Sequence, residues 1–233
     1  MTSFNEYHHG SLCGLFYDEM KKAHGQRGVS AFIKATHFYG EQRGGRMALR
    51  AVRDGRDLSY SSYFHYVEWR ATPGFATIER STENGVMLSE NFVCPWHTVL
   101  KEMGMLECGA IYCSHIDASL VRGFNPELKF EAETILHTSA SCRLKFHIGD
   151  GVTRYEPTGL PVVMDMEYHC AHFLWTYTRV ILSVFGQEGT SVVAMVKQRF
   201  AEKYSPEMVA ALERYEGCDF SYLPAPEYEK ALS

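Results

Sequence analysis

From Leu128 onward the chain alternates with the period of a strand. Leu128, Phe130, Ala132, Thr134 and Leu136 fall on one face, and Lys129, Glu131 and Glu133 on the other. After a short link at residues 137–140, Cys142, Leu144, Phe146 and Ile148 alternate with Arg143, Lys145 and His147. Two such runs joined so tightly predict an antiparallel hairpin. Upstream, SYSSYFHYVEW (59–69) and FATIERSTENGVML (75–88) read as further strands, the second with an Asn84-Gly85 turn. A sheet of this kind has an apolar face that another layer must cover.

Helices supply that layer. CPWHTVLKEMG reads as one helix closing at Gly104, and ECGAIYCSHIDASLVRG as a second closing at Gly123. The two ends of the chain repeat one another: a shift of 161 positions puts Tyr7-His8 on Tyr168-His169 and GQRG at Gly25 on GQEG at Gly186. Ser30 then falls on Ser191, Tyr39 on Phe200, Glu41 on Glu202 and Met47 on Met208. Each copy reads as a helix, a tight glycine turn and a second helix, the first copy running through GVSAFIKATHFYGEQRGG into glycines. The expected fold class is α+β: an antiparallel sheet of four or five strands packed by helices, with a repeated helix pair at the N- and C-termini. The expected organisation is an α+β domain over 1–150, a Gly- and Pro-rich linker over 151–165, and a C-terminal helical extension over 166–233.

With 45% hydrophobic residues over 233 positions the chain can bury a sizeable core. The run YHHGSL at residues 7–12 resembles the opening of TetR-type repressors, but its partial recurrence near the other end of the chain reads as a helix-pair start. Lys and Arg total 23 against 28 Asp and Glu, a net charge of -5, which leaves no basic stripe for a phosphate backbone. Nucleic acid is therefore not expected as a partner. The most apolar stretch, FLWTYTRVILSVF, is broken by Arg179, and no basic segment followed by an apolar run opens the chain. A cytoplasmic protein with no membrane contact is expected. Seven cysteines in no framework spacing suit reduced thiols.

Cys94 precedes Pro95, and proline favours the first helical position, so Cys94 should cap the helix carrying Trp96 and His97. Unpaired amides and the dipole at a helix start favour a thiolate. The alternative is a buried cysteine that merely packs beside Trp96. Cys113 and Asp117 are one turn apart and share a face beside the apolar stripe of Tyr112, Ile116 and Leu120. Asp117 would orient a base, hold a water or grip a cation, or else be a solvated acid on an amphipathic helix. Its charge works against a Cys113 thiolate. Cys94, His97, Cys113, His115 and Cys142 could supply zinc ligands, and so could His8, His9, His169, Cys170 and His172, although neither group has a zinc-site spacing. No phosphate-cradling glycine loop and no Gly-x-Ser-x-Gly elbow is present.

The succession FVCPWHTVLKEMG, IYCSHIDASLVRGFNPELKFEAETIL and SCRLKF resembles the L-2-amino-thiazoline-4-carboxylic acid hydrolase family over about residues 7–150. The hairpin ending in a cysteine is also similar to the 4-vinyl reductase domain, in which cysteines and an acid can hold zinc; here Glu131 precedes Cys142 but Thr134 stands where a further cysteine is expected. The first resemblance implies a hydrolase that opens a small heterocyclic ring at a C–N or C–S bond; no cofactor is expected, with zinc the alternative. Cys94 or Cys113 would attack the amidine-like carbon, or a water held by Asp117 would. His97 would move protons, Asp117 would pair with the protonated amidine, and Asn125 would support the intermediate. Trp96 and Tyr112 would line the substrate. The second resemblance implies a non-catalytic small-molecule-binding or sensing domain. The helix pairs would offer a homo-oligomer contact.

Overall fold

The computed structural model describes residues 3–149, 162–224 and 229–231. Its longest helix, α1 (Glu6–Arg53), starts at Asn5, whose side chain accepts from the Tyr7 amide at 3.0 Å while His8 Nδ1 accepts from the Asn5 amide at 3.1 Å. The Tyr-His-His-Gly run is thus a helix start closed by a capping box, with histidine in the place usually held by Glu or Gln. Gly25, at φ 57° and ψ −134°, breaks α1 into two helices. The second copy matches: α5 (Met166–Phe185) ends at Gly186, at φ 55° and ψ −128°, and α6 (Gln187–Lys203) follows.

The first copy does not stop at its glycines. Gly40 and Gly44 face α4 (Leu106–Phe124) so closely that a Cβ on Gly44 would stand 2.0 Å from the Leu120 carbonyl oxygen. Gly123, expected to end α4, is a member of the same seam: its Cβ would stand 2.3 Å from the Glu41 carbonyl oxygen, and α4 runs on to an Asn125 cap. Lacking side chains, these residues let two backbones touch.

The strands β1 (Thr77–Glu83), β2 (Val86–Val93), β3 (Phe130–Thr134) and β4 (Cys142–His147) form one antiparallel sheet in the order β1-β2-β4-β3. Asn84 and Gly85 both take positive φ, 50° and 73°, as the Asn-Gly turn requires. One expected strand is a helix instead. Within residues 59–69 the chain forms α2 (Tyr60–His65), because Asp57 Oδ1 accepts from the Ser59 amide and from the Ser59 and Ser62 hydroxyls, which coils the segment at its start. Tyr60 and Tyr63, three residues apart, then pack together against Phe146, with Phe124 against Tyr63.

Residues 151–161 of the expected linker lie outside the described residues; β5 (Val162–Met164) follows them and pairs with β6 (Glu229–Ala231) in a separate two-stranded ladder. The larger core joins both ends of the chain, with Phe16 and Phe32 of α1 packed on Phe173 and Tyr177 of α5, and Phe200 of α6 in the same cluster. It also takes in α3 (Pro95–Glu102) and α7 (Pro206–Glu213). A smaller core of Met47, Tyr63, Phe124 and Phe146 covers the sheet. Among the described residues no helix is long and apolar enough to cross a membrane.

Candidate active site

Cys94 leaves β2 in an extended conformation and is the residue before α3, with Pro95 in the first helical turn as its sequence requires. Asn91 near the end of β2 is the register partner of Cys142 at the start of β4, so the strand pairing delivers the second thiol beside the first. From α4, Cys113 and Asp117 project on one face. The Asp117 carboxylate acts electrostatically on Cys94, Cys113 and Cys142, and Cys94 acts on the other two thiols. Four residues from two strand ends and one helix therefore share one space.

That space is poor in solvent. Burial lifts Asp117 from 3.8 to about 6, opposed only by Arg43. Of the two readings left open for Cys94, the thiolate is disfavoured: burial pushes its thiol up, the His97 and Trp96 amides pull the other way, and Asp117 pushes up again. The side chain closes no capping hydrogen bond, so the helix start does not outweigh desolvation. Burial also raises Cys113 well above the usual thiol range, with Cys94 and Asp117 adding to it, and lifts Cys142 to about 12. The set is three neutral thiols around a carboxyl that titrates near neutrality.

Arg43 carries no sequence motif that marks it as a site residue, yet it is the charge that acts on Asp117. Arg43, Arg46 and Arg50 occupy positions i, i+3 and i+7 of α1, one helical face, which is buried. Glu68 receives Arg46 Nε on Oε1 at 2.9 Å, Arg46 on Oε2 at 2.6 Å and Arg50 on Oε1 at 2.6 Å. Burial alone would raise Glu68, but Arg46 and Arg50 hold it well below the usual carboxylate range. Arg43 Nε reaches Glu68 Oε2 only at 3.9 Å, outside hydrogen-bond range, and is buried without a hydrogen-bond partner. Three arginines on one helix face at that spacing are the signal that marks the cluster.

The remaining candidates are placed elsewhere. The His97 ring meets His137 edge-on, centroids 4.9 Å apart, and the charge acting on it is Lys101. Trp96 donates its indole N–H to His9 Nδ1 at 2.8 Å and packs edge-on against Trp69. Tyr112 is buried beside Phe173. Asn125 donates to the Leu58 carbonyl and accepts from the Glu127 amide, so both halves of its amide hold the α4 exit; at 1.5 Å per residue it lies about 12 Å along α4 from Asp117.

His115 contacts His37 at 3.2 Å. Of the second histidine group, His9 and His172 have both ring nitrogens engaged: His9 with Tyr39 and Trp96, His172 with Gln42 and Arg46. Among the described residues no group of three or more His, Cys, Asp or Glu is arranged to hold a metal ion. Glu131, the acid of the zinc arrangement in the 4-vinyl reductase resemblance, is mostly exposed and lies 3.7 Å from His147, so it does not join Cys142. A groove of about 490 Å³ between α4 and β3 holds only His115 of all these candidates.

The ends of the antiparallel sheet thus bring two thiols to a half-buried carboxyl and a third thiol on the covering helix α4. A family model described as L-2-amino-thiazoline-4-carboxylic acid hydrolase matches residues 5–146, and the chain belongs to that family. The match spans Cys94, Cys113, Asp117 and Cys142 together with Arg43, and ends before α5. No curated protein and no solved structure gave a significant match.

Proposed function

We propose that the protein is a ring-opening hydrolase of a small cyclic amidine-like compound, 2-aminothiazoline-4-carboxylate or a relative. The observation that carries the reading is the convergence of Cys94, Cys113 and Cys142 on Asp117. At neutral pH most Asp117 carboxyls are ionised, so a protonated amidine is the complementary guest. Its positive charge offsets the Asp117 contribution that adds to burial in keeping the thiols neutral. The thiol proton of Cys94 or Cys113 passes to Asp117 as sulfur adds to the amidinium carbon, and the ring C–N or C–S bond then breaks as the leaving heteroatom takes that proton back. Water attacks the resulting enzyme-bound thioimidate and frees the thiol, so the net change is one water added.

Purified protein incubated with 2-aminothiazoline-4-carboxylate and a panel of cyclic amidines, lactams and imides, with and without chelator, tests this by a mass gain of one water. Turnover that survives chelator supports the thiol route. Turnover lost with chelator and restored by metal overturns the thiol route and moves the chemistry to a metal-bound water. A second reading, binding without turnover, draws on the three thiols all being held in the neutral form; it predicts ligand-dependent thermal stabilisation with every panel member recovered unchanged.

A further inference from the structure

Arg43 is 8% exposed, yet among the described residues none of its guanidinium nitrogens makes a hydrogen bond. Its Nε is sealed from solvent, while the two terminal nitrogens retain access to it. The guanidinium lies over the Tyr39 ring, 5.6 Å from the centroid, a contact that leaves its in-plane N–H groups unused. The nearest carboxylate, Glu68, already accepts from Arg46 and Arg50 and leaves Arg43 at 3.9 Å. The sealed, unpaired Nε is costly to keep, and the two terminal nitrogens are open to meet a guest.

The partner is not Asp117. Arg43 lies between Gly40 and Gly44, whose seam holds α1 against the turn of α4 that carries Ile116, Ser119 and Leu120. That places Arg43 in the field of Asp117 without an ion pair between them. A cation on α1 and an anion on the adjoining turn of α4 are thus near enough to act on each other and form no ion pair.

We infer that Arg43 is the anion anchor of the candidate site, gripping a planar carboxylate of a zwitterionic ligand whose cationic amidine end lies on Asp117. A guanidinium fork matches a carboxylate with two parallel hydrogen bonds, and the pair gains strength where water is excluded. Arg43 is then a specificity-determining residue: it selects cyclic amidines that bear an acid over those that do not. The inference takes its site from the ring-opening reading, but its test needs no turnover.

The probes are 2-aminothiazole-4-carboxylate and the matching 4-carboxamide, aromatic rings of nearly equal shape that differ in charge. Calorimetric titration of the full chain should find the carboxylate bound about tenfold to a hundredfold more tightly. Arg43→Gln should erase that preference by weakening the carboxylate alone, and Arg43→Lys should restore part of it. Equal affinity of the wild-type chain for the two probes, failure to bind either, or a preference that survives Arg43→Gln overturns the inference. If Arg43→Gln does not fold, the wild-type comparison decides it. A preference for the carboxylate with no ring opened on the substrate panel sustains the anchor and removes the hydrolase; ring opening with no preference does the reverse.

Discussion

Gly25 and Gly186 stand 161 residues apart and hold nearly the same backbone conformation, φ 57° and ψ −134° in one, φ 55° and ψ −128° in the other. Both sit at the turn of a helix pair, and a methyl group added at either would have no neighbouring atom within 4 Å. Alanine at either position meets no clash but must adopt a backbone region that is nearly glycine-only. Gly25→Ala and Gly186→Ala should each lower stability by about 1–3 kcal/mol in urea unfolding. Gly44→Ala reaches a loss of that order or more by a different route, a methyl group driven into the Leu120 carbonyl.

The thiols are separable by mutation. Cys94→Ser and Cys113→Ser, assayed one at a time, should divide into one variant that loses about 10³-fold or more in kcat and one that stays within about tenfold. Trapping the covalent enzyme adduct by mass spectrometry locates the reacting sulfur. Full turnover in both variants removes the thiol route and leaves water held by Asp117.

Asp117 sets a pH dependence with a definite sign. Burial raises its carboxyl from 3.8 to about 6, so the folded chain holds this proton more tightly than the unfolded chain. The associated stability is full below about pH 4 and falls away as pH rises to about 6, while activity, which needs the ionised form, rises through the same window. Asp117→Asn should stabilise the fold above pH 6 by up to about 3 kcal/mol and lose turnover. Denaturation at pH 4 and pH 7 checks the first part, and a kcat/KM profile checks the second.

Glu68 behaves in the opposite sense. Arg46 and Arg50 overcome the effect of burial and hold its carboxyl below 4.5, so its contribution is present above that pH and lost on acidification through the folded value. Glu68→Gln strands buried guanidinium groups and should cost about 3–5 kcal/mol, read as a lower unfolding midpoint or as failure to accumulate folded protein.

The parts of this structure carried by local pattern are readable in the sequence. The hairpins follow from alternation and the Asn84-Gly85 turn, the helix pairs from their repeated glycine, and the pairing of Cys113 with Asp117 from one turn of helix. SYSSYF misleads because aromatic and hydroxylated residues favour strands, whereas the Asp57 hydrogen bonds and the Tyr60–Tyr63 spacing belong to a helix. Gly44 and Gly123 look like stops in a sequence and act as contacts in space. The direction of the Cys94 shift depends on how much protein surrounds the sulfur, which no single helix start determines. His97 is near Cys94 in sequence, yet its ring is directed to His137. Arg43 is hard to single out because a charge on a helix is ordinarily solvated; only its alignment with Arg46 and Arg50 marks the buried face.

The glycine seam between α1 and α4 has a consequence for selectivity. Gly44 and Gly123 bring main chain against main chain, so at those positions no side chain stands between the helices to compress or swing aside. If Arg43 and Asp117 hold the two ends of one guest, the span between them is then a fixed gauge, and a guest one methylene too long or too short would not seat both of its charged ends.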